Sequence, residues 1–168
     1  MALLFCHGLE SGPIGRKSQA LLDAGYTVRA PDCRGFDLGA RVRAITAAIV
    51  AEPRPPVIVG SSFGGIAGLL AALAAADQGI VVPSLVLLAP ALHLPLDGAL
   101  DRPLAPPAPT SILHGRGDTI IPIEVSRRFA AEHGARLIEV DDDHRLGRSL
   151  AHVLELVAAA PGVDPPRG

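Results

Sequence analysis

Three residues that lie far apart in the chain, Ser62, Asp118 and His144, have types that can cooperate in nucleophilic chemistry. A serine hydroxyl is a weak nucleophile and needs a base, and the base needs an acid to orient it. Ser62 is the centre of Gly60-Ser61-Ser62-Phe63-Gly64-Gly65, behind an apolar run and ahead of an Ala/Leu-rich one. Glycines on either side let a strand turn sharply into a helix and push the central hydroxyl outward. The helix start then aims free N–H groups and its positive dipole end at that hydroxyl. Asp118 sits in the loop 115–121 after another apolar run, and His144 closes the loop Asp141-Asp142-Asp143-His144 after a third. Such a trio would carry out acyl transfer through a covalent serine intermediate.

Taken singly, each residue has a plainer reading. Ser62 could cap a helix in a Gly/Ser turn, Asp118 could be a turn residue and His144 a solvated loop histidine. The case for chemistry is that all three follow strands in the order Ser, Asp, His. A fourth part belongs with them. The first apolar run ends in His7-Gly8-Leu9, where glycine allows backbone to approach a ligand closely. The N–H groups of Leu9 and Phe63 are expected to hold a developing oxyanion. His7 itself reads as a brace for that loop rather than a base.

The surrounding pattern must bring these loops together. Strands are expected over 2–6, 27–30, 57–60, 85–89, 111–114 and 136–140, and helices over 16–24, 38–51, 63–76, 123–133 and 146–160. In the second helix Val42, Ile45, Ile49 and Val50 are placed on one apolar side. Strands alternating with helices imply a parallel sheet, and continuously apolar strands such as Leu85-Val86-Leu87-Leu88 imply helices on both faces. The fold class is therefore α/β, a three-layer α/β/α sandwich with about six mostly parallel strands. In such a sheet ligands bind beyond the carboxyl ends of the strands, where all three residues lie. Residues 1–162 read as one domain and 163–168 as a Pro-rich, frayed tail. The stretch 91–110 carries five prolines among five leucines, too many for a long helix. Its leucines either line an acyl pocket or cover the core.

Composition narrows the alternatives. The 168 residues are 49 % apolar and 19 % charged, with net charge −2, which is too apolar for a disordered chain. Basic residues are scattered, and aromatics are only 3 %, which speaks against a nucleic-acid partner. Cys6 and Cys33 are too few for a disulfide framework or a zinc site and read as buried apolar residues. No metal and no cofactor is expected, and His93, His114, His133 and His152 show no ligand spacing. The chain opens without a basic segment or signal-length apolar run, and no stretch suits a bilayer span, so a cytoplasmic location is expected. Ser11-Gly12-Pro13-Ile14-Gly15-Arg16-Lys17-Ser18 imitates a phosphate loop but lacks Gly before the Lys.

The motifs His7-Gly8-Leu9, Gly60-Ser61-Ser62-Phe63-Gly64-Gly65, Gly117-Asp118-Thr119-Ile120-Ile121-Pro122 and Asp143-His144 run through nearly the whole chain. With Ser11-Gly12-Pro13 and Lys17, they resemble the α/β-hydrolase superfamily, in particular its small bacterial serine esterases with little or no lid. The resemblance implies a nucleophile elbow at Ser62, with Asp118 as the acid and His144 as the base. It implies hydrolysis of a small-molecule, short-acyl carboxylic ester. The strand ending in His-Gly opens at residue 2, so a minimal fold is expected, without the family's first two strands and without a large lid. The sheet edge exposed by those missing strands could pair in a homodimer.

Other readings share the same residues. A thioesterase or amidase would use identical acyl-serine machinery. A non-catalytic binding module on the same fold is the alternative of a different class. The run Asp141-Asp142-Asp143 reads as a solvated loop, with a sharper option that Asp143 replaces Asp118 as the acid.

Overall fold

The computed structural model of the protein describes residues 2–166. Among these residues are six strands and five α-helices, alternating except between the fourth and fifth strands: β1 (Leu3–Cys6), α1 (Arg16–Asp23), β2 (Val28–Arg29), α2 (Leu38–Ala51), β3 (Val57–Ser61), α3 (Phe63–Ala76), β4 (Leu85–Leu88), β5 (Thr110–Gly115), α4 (Ile123–His133), β6 (Arg136–Val140) and α5 (Leu150–Ala158). All strand pairs are parallel, in the order β2-β1-β3-β4-β5-β6. The expected α/β/α sandwich with six parallel strands is the observed architecture.

Alternating strand residues feed two cores. Leu4, Cys6, Ile58, Leu85, Leu87 and Ile112 pack with α2, α3 and Phe129 of α4 on one face. Leu3, Phe5, Val57, Val59, Val86, Leu88 and Leu113 pack with Leu21 of α1 and Val153, Leu156 and Val157 of α5 on the other. Burial on both faces explains why these strands are apolar throughout. The chain starts at β1, one strand in from the edge, adds β2 outside it, and then crosses to β3 and runs on to β6, every strand pointing the same way. The loops after β1, β3, β5 and β6 therefore gather along one edge.

Several local expectations shift. The last helix begins at Leu150, not 146, because the Asp142 carboxylate ties the chain from 143 to 149 into turns. Strand β2 shrinks to two residues, and β4 stops at Leu88 because Ala89 takes a positive φ of 44°. Val50 is exposed, while Arg41 joins Val42, Ile45 and Ile49 on the buried side of α2. The acidic run is not a solvated loop throughout, since Asp142 is buried. In the Pro-rich stretch Leu92 is buried, and Leu94, Leu96, Leu100 and Leu104 pack against the first core, so these leucines cover the core. Arg102 holds this stretch to α3 through Asp77 at 2.7 Å. Of the tail, Val163 packs on the second core, and residues 167–168 lie outside the described residues. Edge strand β2 is too short to offer a long pairing template, and it ends in the exposed Arg29.

Candidate active site

Ser62 stands between β3 and α3 with φ 55° and ψ −118°, a conformation that L side chains rarely adopt. It is held there from both sides. The Ser62 N–H donates to Leu88 O at 2.9 Å, and its carbonyl accepts from Gly65 N at 2.9 Å and Ala91 N at 3.1 Å. The tightness of the turn forces glycine at 64, where a Cβ would strike the carbonyl oxygens of Cys6 and His7. The end of β1 is thereby pressed against the start of α3.

His144 Nε2 lies 2.9 Å from Ser62 Oγ, and His144 Nδ1 lies 2.7 Å from Asp118 Oδ2. A carboxylate only accepts, so Nδ1 carries the proton and Nε2 is free to accept from the serine hydroxyl. The three residues read from separate loops form one hydrogen-bonded line. Asp143 is not part of it, because its Oδ1 accepts from Arg145 N at 2.8 Å.

Asp118 is well fixed. Its Oδ1 accepts from Ile120 N and Ile121 N, both at 2.8 Å. Burial pushes its carboxyl up, but the Ile121 N–H, the His144 ring and the Ile120 N–H outweigh that and hold it below the usual carboxylate range. His144 is carried by a loop anchored on Asp142, whose carboxylate accepts from Asp143 N at 2.8 Å, Arg148 N at 2.9 Å and Ser149 Oγ at 2.8 Å. Burial raises the Asp142 carboxyl, and these donors bring it net downward. Gly115 lets this loop cross the end of β5, since a Cβ there would meet the Asp142 carbonyl.

The N–H groups of Leu9 and Phe63 donate to no acceptor among the described residues. Gly8 brings the first of them beside the serine, as its Cβ position lies 3.7 Å from Ser62 Cβ. His7 braces this loop as expected. Its Nε2 accepts from Cys33 N at 2.9 Å, and its Nδ1 donates to Gly8 O at 2.8 Å. Cys6 and Cys33 are free and buried, and burial pushes both thiols up, which makes neither a reactive thiolate. Among the described residues no three metal-ligating side chains cluster. None of the described helices is long and apolar enough to cross a membrane.

Three residues escaped the sequence reading. His114 is buried at the end of β5 with Nε2 3.1 Å from Asp118 Oδ2. Its place four residues before Asp118, directly after the apolar pair Ile112-Leu113, was the available signal. Asp142 was hidden among three identical residues. Arg41 falls on the stripe 41, 45, 49 of α2, where an arginine is out of place.

A parallel sheet with a strained serine at the β3–α3 turn, backed by a histidine and an aspartate from later loops, defines a hydrolase-type α/β fold. The chain belongs to the alpha/beta hydrolase family, whose model matches residues 3–167. It is similar to a protein of the alpha/beta hydrolase superfamily from Xanthomonas campestris pv. campestris, at 28 % identity and TM-score 0.76 over 93 % of this chain and 95 % of that one. Est1E from Butyrivibrio proteoclasticus shares the fold at 19 % identity and TM-score 0.73, over 94 % and 88 % of the two chains. A monoacylglycerol lipase from Paleococcus ferrophilus does so at 20 % identity and TM-score 0.66, over 93 % of each. No curated protein matches.

Proposed function

We propose that the protein is a serine ester hydrolase acting on small, short-acyl carboxylic esters. The observation that carries this reading is the line Ser62 Oγ to His144 Nε2 at 2.9 Å and His144 Nδ1 to Asp118 Oδ2 at 2.7 Å. In the proposed reaction His144 Nε2 takes the Ser62 proton as Oγ attacks the ester carbonyl carbon. The Leu9 and Phe63 N–H groups receive the oxyanion. The tetrahedral adduct collapses, the bond to the alcohol oxygen breaks, and His144 returns the proton to the leaving alcohol. Water, deprotonated by His144, then attacks the acyl carbon; the bond to Ser62 Oγ breaks, the acid is released, and His144 returns the proton to Oγ. Asp118 holds the His144 tautomer and steadies the imidazolium. The short stretch 91–110, packed on the core, supports an open site and a small substrate.

Labelling with a fluorophosphonate probe, followed by peptide mapping, tests the reading. Modification at Ser62 that Ser62→Ala abolishes is expected, with loss of p-nitrophenyl ester hydrolysis by about 10⁴-fold or more. A folded wild type that takes no label would overturn it. A screen with matched esters, thioesters and amides then separates the three acyl classes.

A further inference from the structure

A buried cation lies behind the two free N–H groups. Arg41 of α2 is 1 % exposed. Its Nη1 donates to His7 O at 2.8 Å and reaches Gly8 O at 3.4 Å, and its Nε donates to Phe36 O at 3.3 Å. Its Cζ stands 5.0 Å from the centre of the Phe63 ring. No carboxylate pairs with it among the described residues, and Nη2 is buried without a partner. An unpaired buried charge opposes folding, and an aliphatic residue would extend the stripe of Ile45 and Ile49 without that cost.

We propose that Arg41 is a positioning residue for the oxyanion hole, aiming the Leu9 N–H and placing positive charge behind it. The proposal rests on the esterase reading above. A trans peptide sets its C=O and N–H on opposite sides of one plane. The Gly8 carbonyl and the Leu9 N–H belong to the same peptide. Arg41 Nη1 and His7 Nδ1 both hold that carbonyl back toward α2, so the Leu9 N–H points the other way. A cation on the carbonyl oxygen also polarises the amide and makes its N–H a stronger donor. The same guanidinium faces the ring of Phe63, whose backbone supplies the second N–H. Both halves of the oxyanion hole are thus braced by one side chain.

The test compares wild type, Arg41→Lys and Arg41→Met, each with its reactive serine counted by fluorophosphonate titration. Hydrolysis of p-nitrophenyl acetate and inhibition by a phenylboronic acid, which forms a tetrahedral serine adduct, are then measured per titrated site. Arg41→Met is expected to lower kcat by about 10- to 100-fold with KM nearly unchanged, somewhat less than deleting an oxyanion donor. Boronate affinity should fall by a similar factor, and Arg41→Lys, which keeps the charge but not the fork, should lie between. Unchanged kcat and boronate affinity per site would overturn the proposal, as would a rise in KM alone. A merely structural role lowers the titratable fraction and Tm but not these ratios. If Arg41→Met does not fold, Arg41→Lys decides by the same two ratios. A wild type that neither labels at Ser62 nor cleaves the ester sinks the esterase reading, and this proposal with it, whatever the variants do.

Discussion

The Asp118 oxygen that faces His144 at 2.7 Å also lies 3.1 Å from Nε2 of the buried His114. That nitrogen is 3.0 Å from the Ile121 carbonyl as well, and His114 Nδ1 is 2.7 Å from Ser126 Oγ. A carbonyl only accepts, so Nε2 carries the proton and Nδ1 accepts from the serine. His114 therefore presents an N–H toward a carboxylate that already serves His144. Replacing it by leucine strips Asp118 of that donor and leaves Ile121 O and Ser126 unpaired. A stability loss of about 1–3 kcal/mol is expected by thermal unfolding. With one donor fewer, the Asp118 carboxylate turns more of its negative charge toward the triad, which should move the acid limb of kcat/KM to higher pH. An unmoved limb in a folded variant would mean the contact has no electrostatic weight.

Asp118 and Asp143 are separated by a pair of substitutions. Asp118→Asn replaces an acceptor with an amide and should lower kcat by about 10⁴-fold, through the wrong histidine tautomer. Asp143→Asn should stay within about twofold, because Asp143 closes a turn onto Arg145 and makes no hydrogen bond to His144. The opposite result would assign the acid to Asp143. Because Asp118 is held below the usual carboxylate range, it remains ionised across the neutral range. The acid limb of wild type should accordingly show the loss of one proton, with slope one in log kcat/KM against pH.

Asp142 links stability to pH. Its folded carboxyl lies below the ordinary value, so its contribution is fully present above the unfolded value of about 3.9. That contribution fades as pH falls through the folded value. Asp142→Asn should cost about 1.5–3 kcal/mol at pH 7, since it weakens three hydrogen bonds to one buried charge. The difference in Tm between wild type and variant should hold steady down to about pH 4 and shrink as pH falls from there toward 2.5. A constant difference across that range would show that the charge is not what anchors the His144 loop.

Much of this architecture is legible without coordinates. Helices α2, α3 and α4 begin and end where the apolar pattern and the left-handed Gly134 put them, since those signals are local. The start of α5 was misplaced by four residues because one buried carboxylate, not local propensity, shapes residues 143–149. The role of the leucines in 91–110 was likewise open, because an apolar residue in a loop reads the same whether it lines a pocket or seals a core.

What the sequence by itself determined is the set of loops and their common edge. Alternating elements force a parallel sheet, and a parallel sheet brings every strand's carboxyl end to one side, so Ser62, Asp118 and His144 had to lie along the same edge. Only the tertiary structure decided which aspartate faces His144, and that Arg41, His114 and Asp142 are buried around the site. Those choices rest on contacts between residues 26 and 82 positions apart for the His144 line, and 33 and 34 for Arg41 with the carbonyls of Gly8 and His7. Hydrophobic periodicity reports which face of an element is covered. It carries no information about which polar group on another element will lie opposite, and that pairing sets the charge and aim of the site.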